Sequence, residues 1–244
     1  MTEPAEHNFT PLRRTPAYQL VYDAIEGDIL SGRLDDGSTL PTEGALAEQF
    51  DVHRSTVREG LRLLEQQGLV RRGAAKRMVV AAPETGETAA RASKGLALNG
   101  VTFEEVWTAL ALFQPEAARF ACAHMKPETL QRLTAVNNAL AARQSSEDTI
   151  NAAFDFFQEI AAASNNRVIN VQLQSLNILI RSSLAKVINE LPKAASRIEL
   201  AQVRIIEAFE AGDAAAAARW MRRHVDDLRR GYDVAGVPMD SRVA

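Results

Sequence analysis

The most informative segment of the chain is residues 40–70, LPTEGALAEQFDVHRSTVREGLRLLEQQGLV. Apolar residues recur at helical spacing before and after residues 51–53, which predicts two short helices joined by a tight turn. Thr42 is placed to cap the first of these helices. The second helix has an inward apolar stripe formed by Val57, Leu61 and Leu64. It also has a separate cationic face formed by Arg54, Arg58 and Arg62.

A helix that packs by its apolar stripe and presents arginines outward is typical of helix-turn-helix proteins, in which that helix enters the DNA major groove. The net charge of the chain is −3, but residues 54–77 contain seven basic residues against two acidic ones. Such a focused basic patch suits phosphate neutralisation. A solvated helix face is the alternative interpretation, and the coincidence with the helix-turn-helix pattern favours DNA.

The elements around these two helices predict a winged helix-turn-helix over residues 16–81. Apolar residues at helical spacing predict a helix from Pro16 to about Ser31. Two short strands are predicted at residues 69–72 and 78–80, with Lys76 and Arg77 near the wing tip between them. Residues 1–15 are polar and contain two prolines, so we expect a flexible arm there.

The remainder of the chain predicts an all-α antiparallel bundle. Residues 82–90 form the expected linker, residues 91–235 the helical domain and residues 236–244 a tail. Breaks in the 3.6-residue periodicity define six long helices and a shorter one near residues 87–98. The fold class is therefore mainly α, with a winged N-terminal domain and a C-terminal bundle of six to seven helices.

Several classes of protein are disfavoured by the sequence. Cys122 is the only cysteine, which leaves no intrachain disulfide and no thiolate metal cluster. No apolar run approaches the roughly 20 residues needed to span a bilayer, and the N-terminus lacks the order of a signal peptide, so we expect a cytoplasmic protein. Gly-x-Ser-x-Gly and phosphate-loop motifs are missing, which argues against an enzyme.

The motifs and their order resemble the GntR family of bacterial transcription regulators. The helical remainder resembles the effector domain of its FadR subfamily, the FCD type. The N-terminal resemblance lies in Ile29–Leu34, Leu40–Glu43, Arg54–Glu59 and Leu64–Val70, and the C-terminal one in Pro115–Arg119, Ala211–Asp213 and Met221–His224. The resemblance therefore extends over nearly the whole chain.

The resemblance implies a homodimer that places two winged domains on a palindromic operator and responds to a small metabolite, most simply as a repressor. Arg54, Ser55, Thr56 and Arg58 would supply base and phosphate contacts, since the arginine fork can pair with guanine O6 and N7. The full set of predicted DNA-contacting residues is Thr42, Arg54, Ser55, Thr56, Arg58, Arg72, Lys76 and Arg77. Gly44 departs from the family, which commonly has a DNA-reaching arginine there, and the wing lacks its usual Gly-x-Gly.

Many FCD domains hold a divalent metal with one aspartate and three histidines. Alignment on the family motifs places those four positions at Ala153, Phe157, Gln202 and His224, so only the last ligand is present. A shifted register would recruit Asp155 but would still lack the histidines. Because a zinc, nickel or manganese site needs at least three suitable protein ligands, we predict a metal-free domain without a cofactor.

The resemblance implies that an effector binds in the helical domain. The predicted effector-binding residues are Gln114, Phe157, Arg181, Gln202 and His224. His224 is a candidate donor to an effector's carboxylate or carbonyl, with an ordinary helix histidine as the alternative. Arg119 and Arg181 are candidates for pairing with an anionic ligand, with structural ion pairs as the alternative. Phe157 in place of a metal ligand favours an effector with an apolar or aromatic portion. The rival function is a constitutive DNA-binding protein without an effector response.

Overall fold

The computed structural model describes residues 15–74, 77–142, 146–191 and 193–243. The predicted arm, residues 1–15, lies outside this part of the chain except for its last residue. The chain divides into two compact units, Met1–Pro83 and Glu84–Ala244. Among the described residues, no helix has both the length and the apolarity required to cross a membrane.

The N-terminal unit is the predicted winged helix-turn-helix. Its elements are α1 (Ala17–Leu30), α2 (Glu43–Phe50), α3 (Arg54–Gln67), β1 (Val70–Arg72) and β2 (Met78–Val80). The two strands are antiparallel, with Val70 opposite Val80. The segment before α2 extends this small sheet, since the Leu40 amide donates to the Met78 carbonyl at 2.8 Å.

Local chemistry sets the bounds of the two central helices. The Thr42 hydroxyl caps α2 by accepting a hydrogen bond from the Ala45 amide at 3.2 Å. Asp51 ends α2 in the left-handed region with φ 51°, and Gly68 ends α3 with φ 76°. The helices and strands enclose one apolar core, formed by Val21, Ile25, Leu40, Leu46, Ala47, Val57, Leu61, Leu64, Val70 and Val80.

The C-terminal unit is the predicted helical bundle. Its helices are α4 (Thr85–Leu98), α5 (Phe103–Ala123), α6 (Pro127–Ala142), α7 (Ser146–Ala163), α8 (Arg167–Glu190), α9 (Ala194–Glu210) and α10 (Ala214–Val234). Across the described part of the chain, the wing is the only sheet. Helix α4 begins at Thr85, so residues 85–90 of the expected linker are helical.

Capping groups and a large apolar core position the bundle helices. Thr102 and Glu105 form a reciprocal capping box at the start of α5, and Asp213 caps α10 by accepting from the Ala216 amide at 2.8 Å. Trp107 and Tyr232 are fully buried, and their rings meet edge to face at 5.2 Å. Helix α10 packs against both α5 and α9.

The last residues of the chain pack on the start of α5. The amides of Phe103 and Glu104 donate to the carbonyls of Ser241 and Met239 at 3.1 and 2.8 Å. Val243 is buried, and its amide donates to the Val101 carbonyl at 2.9 Å. The segment expected to be a tail therefore satisfies helix-terminal amides that would otherwise need water.

Candidate DNA interface and effector site

The cationic face of α3 is open to solvent, whereas its apolar face is buried. Arg54, Ser55 and Arg58 are exposed and Thr56 is half-buried. On the opposite face Val57 and Leu64 are completely buried against the core of the N-terminal unit. Packing thus fixes the helix while its first turns remain free to contact another molecule.

Two arginines of this surface are paired with carboxylates on neighbouring segments. Arg58 donates to Glu43 at the start of α2, with 2.9 Å between Nη2 and Oε2, and this bond raises the pKa of Arg58. Arg72 on β1 lies 3.4 Å from Glu65 of α3. Because both pairs are exposed, they are weak in water, and each arginine can exchange its carboxylate partner for another acceptor.

A cleft of about 400 Å³ joins the start of α2, the side of α3 and the wing. Four of the predicted DNA-contacting residues line it together: Thr42, Arg58, Arg72 and Arg77. Arg54, Ser55 and Thr56 occupy the first turn of α3 next to it. Lys76 lies outside the described residues, so its predicted contact is not placed.

The C-terminal unit buries several polar side chains inside its apolar core. Gln202 on α9 is fully buried, and His224 on α10 and Gln114 on α5 are nearly so. Both polar atoms of Gln202, the Gln114 Oε1 and the His224 Nε2 have no hydrogen-bond partner among the described residues. Buried polar atoms without partners are costly in a core, and so they mark a place where a polar ligand would be stabilised.

Counting residues along the helices indicates that these side chains lie at a similar height in the bundle. Gln202 is ten residues before Gly212, where the chain turns, and His224 is twelve residues after it. With a helical rise of about 1.5 Å per residue, the two differ in height by only about 3 Å. The centroids of the Phe103 and Tyr232 rings are 5.5 Å apart, so the start of α5 lies next to the end of α10.

The same counting places the third residue. Gln114 lies eleven residues after Phe103 on α5. Met221 lies eleven residues before Tyr232 on α10, and it is one helical turn from His224. Gln114 is therefore at about the height of His224. Phe157 of α7 completes the group, since its ring stacks on the His224 imidazole with centroids 5.2 Å apart. We call Gln114, Phe157, Gln202 and His224 the buried polar layer.

The His224 imidazole is neutral at physiological pH. Burial lowers its pKa from 6.5 to about 4, against a smaller opposing effect of the Asp227 charge. A neutral imidazole offers one N–H donor and one acceptor nitrogen, and the two glutamine amides offer both types of group. The layer can therefore bind a ligand through hydrogen bonds without carrying charge.

Sequence comparisons decide the family. The profile of the bacterial regulatory proteins of the gntR family matches residues 17–80, and the FCD domain profile matches residues 105–227. The chain belongs to the GntR family. It is a transcriptional regulator with an N-terminal DNA-binding domain and a C-terminal FCD effector-binding domain.

Individual relatives resemble the regulator over most of its length. It is 26% identical to the Glc operon transcriptional activator of Escherichia coli (strain K12) over 226 residues, which cover 89% of each chain. It is 27% identical to the HTH-type transcriptional repressor NanR of Escherichia coli (strain ATCC 8739), covering 93% of this chain and 88% of that one. The solved Streptococcus agalactiae GntR shares the fold, with a TM-score of 0.63 at 22% identity over 87% of this chain and 99% of that chain.

The positions that hold a metal in many FCD domains carry a donor set that does not fit one here. Ala153 and Phe157 are buried but have no ligating atom, and the Phe157 ring lies against the His224 imidazole. Asp155 is exposed on the other side of α7, so a shifted register does not bring it inward. Among the described residues, no group of three or more His, Cys, Asp or Glu side chains is placed to hold an ion.

Two arginines considered for the effector lie on the surface of the unit. Arg181 is exposed, donates to the Asn151 side chain and lies over the Phe154 ring. Arg119 is paired with Glu116 at 2.7 Å. The structure therefore does not bring Arg181 to the buried polar layer, because its position on α8 faces outward.

Sequence reasoning missed the role of the first turn of α2. Glu43 was visible only as an acidic residue after a helix cap, yet it holds Arg58 of α3. The two residues are fifteen positions apart, and no periodicity connects them. Their contact depends on the angle between two helices, which the local pattern does not contain.

Proposed function

We propose that this GntR-family regulator binds a palindromic operator as a homodimer, with α3 of each copy in the major groove, and that a small molecule in the FCD unit changes this binding. The observation that carries the proposal is the exposed cationic face of α3 on a helix whose apolar face is buried. A two-fold dimer presents two such helices and so requires two related half-sites.

The proposed contacts divide into two classes. Arg54 and Arg58 read base edges, because the guanidinium fork can pair with guanine O6 and N7. Ser55 and Thr56 in the first turn of α3 contribute shorter contacts to bases and phosphates. The remaining predicted residues position the protein by phosphate contacts: Thr42, Arg72, Lys76 and Arg77.

The proposed effector site is the buried polar layer, acting without a metal or other cofactor. Its unpartnered amide and imidazole atoms require a ligand that supplies both hydrogen-bond donors and acceptors. Because these groups are neutral, a charge buried beside them would be unfavourable, so the enclosed part of the ligand is uncharged. The Phe157–His224 stack favours an apolar or aromatic portion beside these polar groups.

We further propose that the protein acts in the cytoplasm as a repressor and not as an enzyme. NanR, similar over most of the chain, is named a repressor, while the Glc operon relative is named an activator. The transcript level next to the operator measures the sign directly. Deletion of the gene raises that level if the regulator represses, and a fall would show activation.

The function is tested by selecting fragments of the host genome with the full-length protein and titrating the recovered duplex by fluorescence anisotropy. We expect an enriched palindromic motif, two chains per duplex, and weaker binding in the presence of at least one neutral metabolite fraction. Fragments without a shared motif would contradict the proposed operator reading. A defined motif whose binding no fraction alters would support the constitutive DNA-binding alternative.

A further inference from the structure

Gly44 lies directly beneath the guanidinium group of Arg54. A Cβ atom built on Gly44 would be 3.0 Å from Nη2, 3.3 Å from Cζ and 3.5 Å from Nε of Arg54. The first two of these separations are shorter than most Cβ contacts, so the arginine head occupies space that a side chain at position 44 would need. Arg54 is the first residue of α3 and Gly44 is the second residue of α2.

The first turn of α2 thus holds two arginines of the recognition helix. Glu43 binds the Arg58 guanidinium through a charge-assisted hydrogen bond of 2.9 Å, while Gly44 provides the surface on which Arg54 lies. Thr42 fixes this turn by capping it. Because Arg54 and Arg58 are one helical turn apart, adjacent residues of α2 set the positions of adjacent base-reading groups.

We propose that Gly44 is a specificity-determining residue of this regulator. Its lack of a side chain lets the Arg54 head lie against α2, and that position determines which base pair the guanidinium reaches. Bidentate pairing with a base depends on the direction of the fork, so a displacement of the head changes the preferred base. The inference rests on the proposed role of Arg54 in base reading.

The geometry separates recognition from stability. Gly44 has a helical backbone, and the atoms that an added methyl group would meet belong to the far end of a flexible side chain. Alanine also favours a helix more than glycine does. Gly44→Ala should therefore keep or raise the thermal stability of the winged unit while displacing Arg54.

The test is a selection from randomised duplexes with full-length wild type, Gly44→Ala, Gly44→Leu and the control Gly27→Ala. A Cβ added at Gly27 on α1 meets nothing within 4 Å. We expect Gly27→Ala to enrich the wild-type motif, and both Gly44 variants to change the preference at one base pair of each half-site by about tenfold, with leucine having the larger effect. Unchanged motifs and affinities for both Gly44 variants would overturn the proposal.

The variant Arg54→Ala distinguishes an error in the role of Gly44 from an error in the proposed base reading by Arg54. If Arg54→Ala selects the wild-type motif, Arg54 does not read bases and the proposed contact itself is wrong. If Arg54→Ala loses one preferred base pair while Gly44→Leu retains it, only the role of Gly44 is wrong. The double variant Gly44→Leu/Arg54→Ala should select the same motif as Arg54→Ala, and a further change would show that Gly44 acts independently of Arg54.

Discussion

The Phe157 ring stacks on the His224 imidazole, with centroids 5.2 Å apart and planes inclined at 23°. The family resemblance assigns both residues to positions of metal ligands, and here an aromatic ring covers the histidine. The contact packs the buried imidazole against an aromatic ring, and burial lowers its pKa so that it is neutral at physiological pH. The unpartnered Nε2 of His224 stays available for a hydrogen bond.

The burial of His224 predicts a pH-dependent stability. Its pKa of about 4 in the folded protein lies below the unfolded value of 6.5. The unfolded chain therefore binds the extra proton, and the stability associated with neutral His224 is lost as the pH falls from about 6.5 towards 4. The full difference corresponds to about 3 kcal/mol. Urea denaturation at pH 7.5 and 4.5 should show a larger loss for wild type than for His224→Gln, and equal losses would contradict the assignment.

A metal site should appear when the missing ligands are restored. Phe157→His with Gln202→His supplies three imidazoles together with His224, the minimum for a protein zinc site. We expect the double variant to bind zinc and to gain thermal stability that a chelator reverses. Wild type should contain no stoichiometric metal by elemental analysis, and its melting temperature and DNA affinity should not respond to chelator. A marked loss in chelated wild type would show that it holds an ion.

Removing the C-terminal segment should destabilise the FCD unit. Truncation after Val237 removes the carbonyls that accept from Phe103 and Glu104 and exposes the site that buries Val243. Loss of the buried valine and of these hydrogen bonds should lower the free energy of unfolding by about 2–4 kcal/mol. Chemical denaturation measures this change, with removal of Ala244 alone as the control. Equal stability of the two truncations would mean that the segment does not support α5.

Arg77 at the wing should contribute affinity without selectivity. Arg77→Ala should weaken binding to the operator and to unrelated duplex by similar factors, because a phosphate contact carries no sequence information. The slope of log affinity against log salt should become less steep by about 0.9. Anisotropy titrations at several salt concentrations measure both effects. A loss confined to the operator would instead assign Arg77 to base reading.

Local sequence signals were sufficient for most helix bounds. Thr102 with Glu105 caps the start of α5, and Asp213 after Gly212 caps α10, and both are signals of a kind that sequence contains because caps act within one helical turn. The winged unit could likewise be predicted from the sequence, because its strands and the turn between them follow one another along the chain. The confirmed fold class therefore depends on interactions between near neighbours in sequence.

The sequence pattern did not predict where the linker ends or which distant segments come into contact. Pro83 and Gly86 resemble linker residues, yet α4 begins at Thr85. The C-terminal segment looks like a tail, but its carbonyls meet amides more than a hundred residues earlier. For the same reason only part of the predicted effector set is buried. Helical periodicity does not show whether Arg181 faces the core or the solvent.

We infer that the exposed arginines of α3 read the operator. The most direct measurement is the dissociation constant for an unrelated duplex divided by that for the operator, at one salt concentration, for wild type, Arg58→Ala and Arg219→Ala. Arg219 is an exposed arginine of α10 and serves as the control. Arg58→Ala should lower the ratio by about tenfold or more while Arg219→Ala leaves it unchanged. An unchanged ratio for Arg58→Ala would contradict operator reading by Arg58.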